Sequence, residues 1–330
     1  MKTQKRKLDH LRVCLERDVQ FRKPNGFEKY ELAHNAIPEM NIDEVNISTK
    51  FLGHDFAAPV FIEAMTGGTI EASKINRNLA KAAQELGIGM GVGSQRAMIE
   101  NPEVSESYNV RGTAPDIFLA GNIGAAQISE FGFDKIRDAV EKIGANALAV
   151  HLNPAQEVAQ DGGHDKWSGV LASIKELKVK IKIPLIVKEV GCGISGEVAA
   201  KLQNAGADAI DVAGAGGTSW VKVDSLITGK PLDNFFDWGI PTAECLSQCV
   251  QRVKIPVIAS GGIRNGVDAA KALAMGASLV GLAFPLLKPA TRSADAVEKA
   301  LSHVIMELKT AMFLVSARNV KELRGRIRKM

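Results

Sequence analysis

The run IPVIASGGIRNGVDAAKALAMGASLVGLAFPLL, residues 255 to 287, leaves this chain few possible folds, because it reads as strand, glycine turn, helix and strand without interruption. Pro256 to Ser260 forms a short apolar strand, and Gly261 and Gly262 remove side chains so that backbone N–H groups can approach an anion. A helix from Asn265 to Met275 follows and Gly276 stops it. Ser278 to Ala283 then begins a second parallel strand, whose end should lie beside the first glycine turn. A Gly-Gly pair after a strand can simply close a tight connection. Two such neighbouring loops sharing one phosphate, however, are the arrangement of a β/α barrel at the C-terminal ends of its strands.

The rest of the chain keeps this rhythm. From about residue 59, short β-rich runs alternate with helical patterns, as in a parallel sheet covered by helices. Eight strands are predicted, at 59 to 65, 89 to 94, 117 to 122, 147 to 153, 184 to 190, 209 to 214, 256 to 260 and 278 to 283. Gly87, Gly144, Gly206 and Gly276 end helices, whereas Ser195 and Asp134 begin them. The fold class is therefore α/β, a (β/α)8 TIM barrel. Such a barrel takes roughly 250 residues, which leaves about 80 of this chain for extensions. Residues 1–58 are expected to be an N-terminal extension, a basic arm and cap, and 59–330 the barrel. A long insertion after strand 6, at 220 to 250, carries Trp220, Asp237, Trp238 and Pro241. Both additions are candidate lids, and the insertion could equally be a packing appendage or subunit interface.

The net charge of +4 is mild but unevenly placed, since Lys2, Lys5, Arg6, Lys7, Arg12, Arg17, Arg22 and Lys23 crowd the first 23 residues. No aromatic platform, zinc spacing or helix-turn-helix pattern accompanies them, so an anionic small ligand is a better match than nucleic acid. Cys14, Cys192, Cys245 and Cys249 make no CxxC pair and are expected to be free thiols. With charges where a signal peptide needs an apolar core, and no stretch apolar enough to span a bilayer, a cytoplasmic protein without membrane attachment is expected.

In a barrel of this kind the chemistry sits just after the strands. Those positions are polar throughout: Met65, Thr66, Gly67 and Gly68; GSQR at 93 to 96; Asn122; HLNPAQE at 151 to 157; Lys188 and Glu189; AGAGGTSW at 213 to 220. Amides and hydroxyls for ring edges, glycines for close approach and a lysine for an electron-rich centre suit a flat phosphorylated cofactor, and flavin mononucleotide (FMN) fits best. Lys188 lies inside an apolar run, where a charge is costly unless it faces a partner. It either contacts the cofactor or acts as a Schiff-base amine of depressed pKa. Glu157 is the candidate Mg²⁺ ligand, since Mg²⁺ commonly uses one or two carboxylates together with substrate phosphates. Gln156 can orient a substrate or stabilise a transition state, and His151 is the more obvious acid or base, with a structural role as its alternative.

Together, MTGGT at 65 to 69, GVGSQRA at 91 to 97, HLNPAQE, VKEVGCGIS at 187 to 195, AGGTSW at 215 to 220, NFFDWGIPT at 234 to 242, SGGIRNG at 260 to 266 and RKLDH at 6 to 10 resemble the type 2 isopentenyl-diphosphate isomerases over nearly the whole chain. The resemblance implies interconversion of isopentenyl and dimethylallyl diphosphate on reduced FMN, with Mg²⁺, NADPH as reductant, no net redox change, and a homo-oligomer, tetramer or octamer. Carried over residue by residue, it puts Ala64, Met65, Thr66, Ser94, Asn122, Lys188, Ala213, Thr218, Gly262, Ile263, Arg264, Ala283 and Phe284 at the flavin. Arg6, Lys7, Ser94, Gln95, Arg96 and Gln156 fall at the substrate and Glu157 at the metal, leaving Gln156 and His151 as catalytic candidates. Ala213 departs from the family pattern, in which a hydroxyl residue is common, so a flavin contact there would need the backbone. The nearest rival resemblance is to FMN-dependent α-hydroxyacid oxidases, but no histidine lies between 165 and 302 to serve as their late acid–base residue. A non-catalytic flavin or phosphate sensor is the alternative of a different kind.

Overall fold

Eight parallel strands close on themselves in chain order: β1 (Val60–Ile62), β2 (Gly89–Gly91), β3 (Leu119–Gly124), β4 (Ala147–His151), β5 (Leu185–Lys188), β6 (Ala209–Asp211), β7 (Val257–Ala259) and β8 (Leu279–Leu282). The structure, a computed structural model, describes residues 2–330. Pairing of Val280 with Val60 and of Leu282 with Ile62 seals the barrel. All eight predicted strands are present, most of them shorter than expected, while β3 runs two residues further, to Gly124. Helix ends also follow the sequence. Gly87 takes φ 59° after Ile70–Leu86, and the Ser195 side chain accepts a hydrogen bond from Val198 N–H. Asp134 is a correction: Gly132 caps Phe133–Lys142, and Asp134 lies in its first turn.

Residues two apart on a strand share a face, and here that period separates a dry layer from a reactive one. Phe61, Ala120, Ala149, Ile186, Ala209, Ile258 and Leu279 form one apolar cluster inside the barrel. Two residues further along the same strands stand Glu63, Asn122, His151, Lys188, Asp211, Ser260 and Gly281.

The first 58 residues do two different jobs. Near the barrel's N-terminal end, the hairpin Thr49–Phe51/His54–Phe56 turns through Leu52 (φ 46°) and Gly53 (φ 85°). It drives Phe51 and Phe56 against Phe118, each at 5.7 Å between ring centroids. This half of the extension is a plug, not the expected lid. At the opposite end, helix Lys2–Glu16 lies beside helix Trp220–Thr228, joined through His10 and Asp224. The chain then runs over the glycine loops, where Phe21 N–H donates to Gly217 O (2.9 Å) and Val19 O accepts from Ser219 N–H (2.8 Å). A short ribbon pairs Tyr30–Leu32 with Ile327–Lys329, tying this segment to the far end of the sequence. The insertion after β6 resolves into helix Trp220–Thr228, a tight turn at Asp233–Phe235 and helix Thr242–Arg252.

Candidate active site

A cavity of about 240 Å³ opens at the C-terminal ends of the strands, and the residues read from the sequence converge on it from every part of the barrel. Ala64, Met65 and Thr66 follow β1; Ser94 and Arg96 follow β2; Asn122 stands on β3; His151, Gln156 and Glu157 come from β4 and the helix Pro154–Ala159. Lys188 ends β5, Ala213 and Thr218 follow β6, Gly262 to Arg264 follow β7, and Ala283 and Phe284 follow β8. Arg6 and Lys7 complete the lining from the N-terminal helix of the same chain.

One end of the cavity is shaped for an anion. The turns after β6 and β7 interlock so tightly that a Cβ on Gly262 would sit 2.4 Å from Gly216 O, and one on Gly217 2.7 Å from Gly262 N. Gly261 and Gly262 also hold φ of 102° and 73°, which favour glycine. Helix Phe284–Arg292 begins beside them with no side-chain cap on its first N–H groups, whereas helix Gly266–Ala274 is already capped by Asn265. Free N–H groups of an uncapped helix, glycine backbone and Arg264 together suit a phosphate. Thr242, fully buried, donates its hydroxyl to Gly261 O at 2.6 Å and braces the turn from below.

The floor is a charged cluster. Lys188 Nζ lies 3.2 Å from Asp211, 3.5 Å from Glu63, and donates to Glu189 O at 2.7 Å. Burial alone would lower its pKa, but Asp211 and Glu63 raise it above the ordinary lysine value, so Lys188 stays charged. A charged Lys188 matches contact with a cofactor better than the Schiff-base reading, which needs a neutral amine. Burial, then the charges of Lys188 and Lys7, push His151 down to about 3; its Nδ1 lies 2.7 Å from Asn122 Oδ1. His151 is thus a neutral imidazole, able to hydrogen-bond but not to act as a charged acid near neutral pH. Glu189 turns aside, its Oε2 accepting from the backbone N–H groups of Val190, Gly191, Cys192 and Gly193.

The rim is cationic. Lys7 Nζ donates to Ser94 O (2.7 Å) and to Tyr108 Oη (2.6 Å), and the Tyr108 hydroxyl donates to Ser94 O (2.8 Å). Burial, then the Arg6 charge, lowers Lys7 to about 7, and burial with Arg96 lowers Arg6 as well. Arg6, Lys7 and Arg96 gathered at one rim suit an anionic ligand, whose charge would favour their protonated forms. Arg96 is oriented by Glu100 at 2.7 Å. Further in, Asp224 joins His10 (Nε2 to Oδ1, 2.9 Å) to Gln156, whose Nε2 donates to Oδ2 at 3.0 Å. Glu157 accepts from Asn153 on Oε1 (3.1 Å) and from Gln160 and His164 N–H on Oε2 (3.3 and 2.7 Å). The least occupied lone pair therefore belongs to Oε1, which fits a Mg²⁺ held by one carboxylate plus substrate oxygens.

Gln95 is not brought into the cavity. It is 1% exposed, its Nε2 donates to Ala139 O (2.7 Å) and its Oε1 accepts from Asn122 N–H (3.0 Å), so its amide braces the barrel wall. Ala213 adopts φ 36° and turns its N–H toward Asp211 Oδ1 at 3.3 Å. Sequence reasoning passed over Glu63, Asp211, His10 and Asp224. The first two had a visible signal, an acid two residues beyond an inward apolar position. His10 closes the RKLDH motif but was given no role, and Asp224, 214 residues away, had no signal.

A closed parallel barrel with a glycine-built anion cradle beside a buried lysine defines a class of cofactor-binding α/β barrels. The sequence profile of the FMN-dependent dehydrogenase family matches residues 2–153 and 153–329. The chain is 50% identical to the isopentenyl-diphosphate delta-isomerase of Thermococcus kodakarensis, over 97% of this chain and 89% of that protein. It is 49% identical to the protein of the same name from Pyrococcus furiosus, over 97% and 84%. Among solved structures, a lactate oxidase of Pediococcus acidilactici superposes with a TM-score of 0.72 at 18% identity, covering 92% of this chain and 84% of that one, a likeness of fold. The chain belongs to the FMN-dependent dehydrogenase family and, within it, to the type 2 isopentenyl-diphosphate delta-isomerases.

Proposed function

We propose that the protein interconverts isopentenyl diphosphate and dimethylallyl diphosphate on FMN, with Mg²⁺, with NADPH as the external reductant and with no net redox change. The observation that carries this reading is the cationic rim of Arg6, Lys7 and Arg96 above a glycine phosphate cradle, two separate anion sites lining one cavity. An α-hydroxyacid substrate would need only one cation cluster, and the likeness to oxidases rests on fold alone.

Gly262 to Arg264 and the start of helix Phe284–Arg292, which line the cavity, would hold the FMN phosphate. Asn122, Lys188 and Thr66, which line the same cavity, would meet its ring, Lys188 supplying positive charge beside electron-rich atoms. Bound and reduced, FMN supplies a proton donor and acceptor beside an apolar five-carbon chain. Arg6, Lys7 and Arg96 take the diphosphate, and Glu157 anchors Mg²⁺ against it. Gln156, held by Asp224 and Asn153, orients the hydrocarbon end, and neutral His151 keeps that part of the pocket from becoming a competing charged acid. Helix Lys2–Glu16, whose Arg6, Lys7, His10, Leu11 and Cys14 line the cavity, would cover the seated substrate.

The test is anaerobic incubation of purified protein with FMN, NADPH, Mg²⁺ and isopentenyl diphosphate, followed by chromatography for dimethylallyl diphosphate. Bound, reduced flavin without product refutes the activity.

A further inference from the structure

The barrel floor holds two carboxylates and one ammonium. Asp211 is well served: Ser260 Oγ donates to its Oδ1 at 2.6 Å and Lys188 lies 3.2 Å from its Oδ2. Glu63 is not. Its side chain is 6% exposed, it reaches Lys188 only at 3.5 Å, and neither carboxyl oxygen has a hydrogen-bond partner among the described residues. It occupies space that only glycine leaves open, since a Cβ on Gly281 would come within 2.2 Å of Glu63 Oε1. One ammonium cannot neutralise two buried carboxylates, and the proton goes to the acid with fewer donors.

We propose that Glu63 is a positioning residue that carries a proton, so that the Lys188 charge is offset by Asp211 alone. The proposal rests on the FMN reading above. With Glu63 neutral, the floor is balanced and Lys188 favours negative charge on the bound ring. With Glu63 ionised, the floor is one charge more negative and that preference weakens. Burial, then the Asp211 charge, push Glu63 up to about 8 against the opposing pull of Lys188, so the change falls within an accessible range. The charged groups facing it are Lys188 on β5 and Asp211 on β6. Behind Lys188, His151 is already neutral at this pH and Glu189 is engaged by backbone N–H groups. Burial raises Glu189 as well, against its four backbone N–H donors, so the Glu63→Gln comparison is what isolates the Glu63 proton.

The experiment compares the midpoint potential of bound FMN in the wild type and Glu63→Gln, a fixed mimic of the neutral acid, from about pH 6 to about pH 10. The expected result is agreement below about pH 7 and a wild-type potential that drops below the variant's as pH passes about 8. A tenfold loss of preference for reduced over oxidised flavin reads as about 30 mV for this two-electron couple. Parallel curves, or a difference already present at the acid end, overturn the proposal. Should Glu63→Gln fail to fold, Asp211→Asn replaces it: removing that charge should move the wild-type break to lower pH, and an unmoved break overturns the idea. Thermal unfolding without added FMN separates this from failure of the flavin reading. An acid whose folded pKa is raised loses stability as pH rises from its ordinary value near 4.5 to about 8, so Glu63→Gln should gain on the wild type across that window. No relative gain overturns the proposal whether or not FMN binds.

Discussion

Substrate binding should draw in a proton at Lys7. Without a ligand, burial and the neighbouring Arg6 hold this amine at about 7, where its ordinary value is 10.5. At about pH 8 it is then charged in only roughly one molecule in eleven. A diphosphate beside it reverses the balance, because an opposite charge within a few ångströms restores the protonated form. Binding should therefore take up about 0.9 proton at pH 8, about 0.5 at pH 7 and about 0.1 at pH 6. Affinity should fall roughly tenfold for each pH unit above 7 until the complex itself loses the proton. The last phosphate ionisation, near pH 6 for an ester, lies below this range and contributes little at pH 8. Calorimetric titration with isopentenyl diphosphate in buffers of different protonation enthalpy measures the uptake directly. Lys7→Arg, which stays charged, should bind with little uptake at that pH. The sign carries over to stability. A depressed lysine penalises the ligand-free fold below about 7, and the penalty lifts as pH rises toward 10.5. Near-zero uptake in the wild type at pH 8, or undiminished uptake in Lys7→Arg, refutes the reasoning.

Three further outcomes are expected. Glu157→Gln should raise the Mg²⁺ concentration needed for half-maximal activity by tenfold or more, on the order of the roughly 1.5–3 kcal/mol carried by a charged contact, and an unchanged Mg²⁺ titration speaks against ligation. Gly262→Ala, which forces a Cβ to 2.4 Å from Gly216 O at φ 73°, should abolish saturable FMN binding by fluorescence quenching, and normal binding removes the cradle from the site. Phe118→Ala empties the centre of the aromatic plug and should cost about 3–5 kcal/mol in denaturant unfolding while FMN affinity is kept; a loss confined to FMN affinity would put Phe118 at the site instead.

The barrel was legible because its signals are local. Apolar runs mark the strands, and Gly87, Gly144, Gly206 and Gly276 mark the ends of helices wherever the chain must turn through positive φ. The phosphate cradle was legible for the same reason, although its interlocking partner is the 214–217 turn rather than the loop after β8 alone. The first 58 residues were harder. Helix Lys2–Glu16 carries mixed charge and is fixed by contacts to residues about 90 to 214 positions away, such as Lys7 to Ser94 and His10 to Asp224. The hairpin did leave a trace, a Leu-Gly pair between two aromatic-ended segments, which is turn chemistry for two tight φ > 0 positions. Gln95 misled because a family motif fixes residue identity, not the direction in which an amide points. Its neighbours Ser94 and Arg96 line the cavity while it faces Ala139.

The aromatic plug also governs traffic. Phe51, Phe56, Phe61 and Phe118 stop up the barrel's lower end with rings, beneath a layer of alanine and aliphatic side chains that offers water nothing to bond. Among the described residues the lower end of the barrel interior is therefore packed shut by apolar side chains. Glu63 and Lys188 line the cavity that opens at the other end, where cofactor and substrate would lodge. Ligands lodged in that opening stand between the floor and solvent, so after a rapid pH jump the floor should re-equilibrate more slowly in the loaded protein than in the empty one.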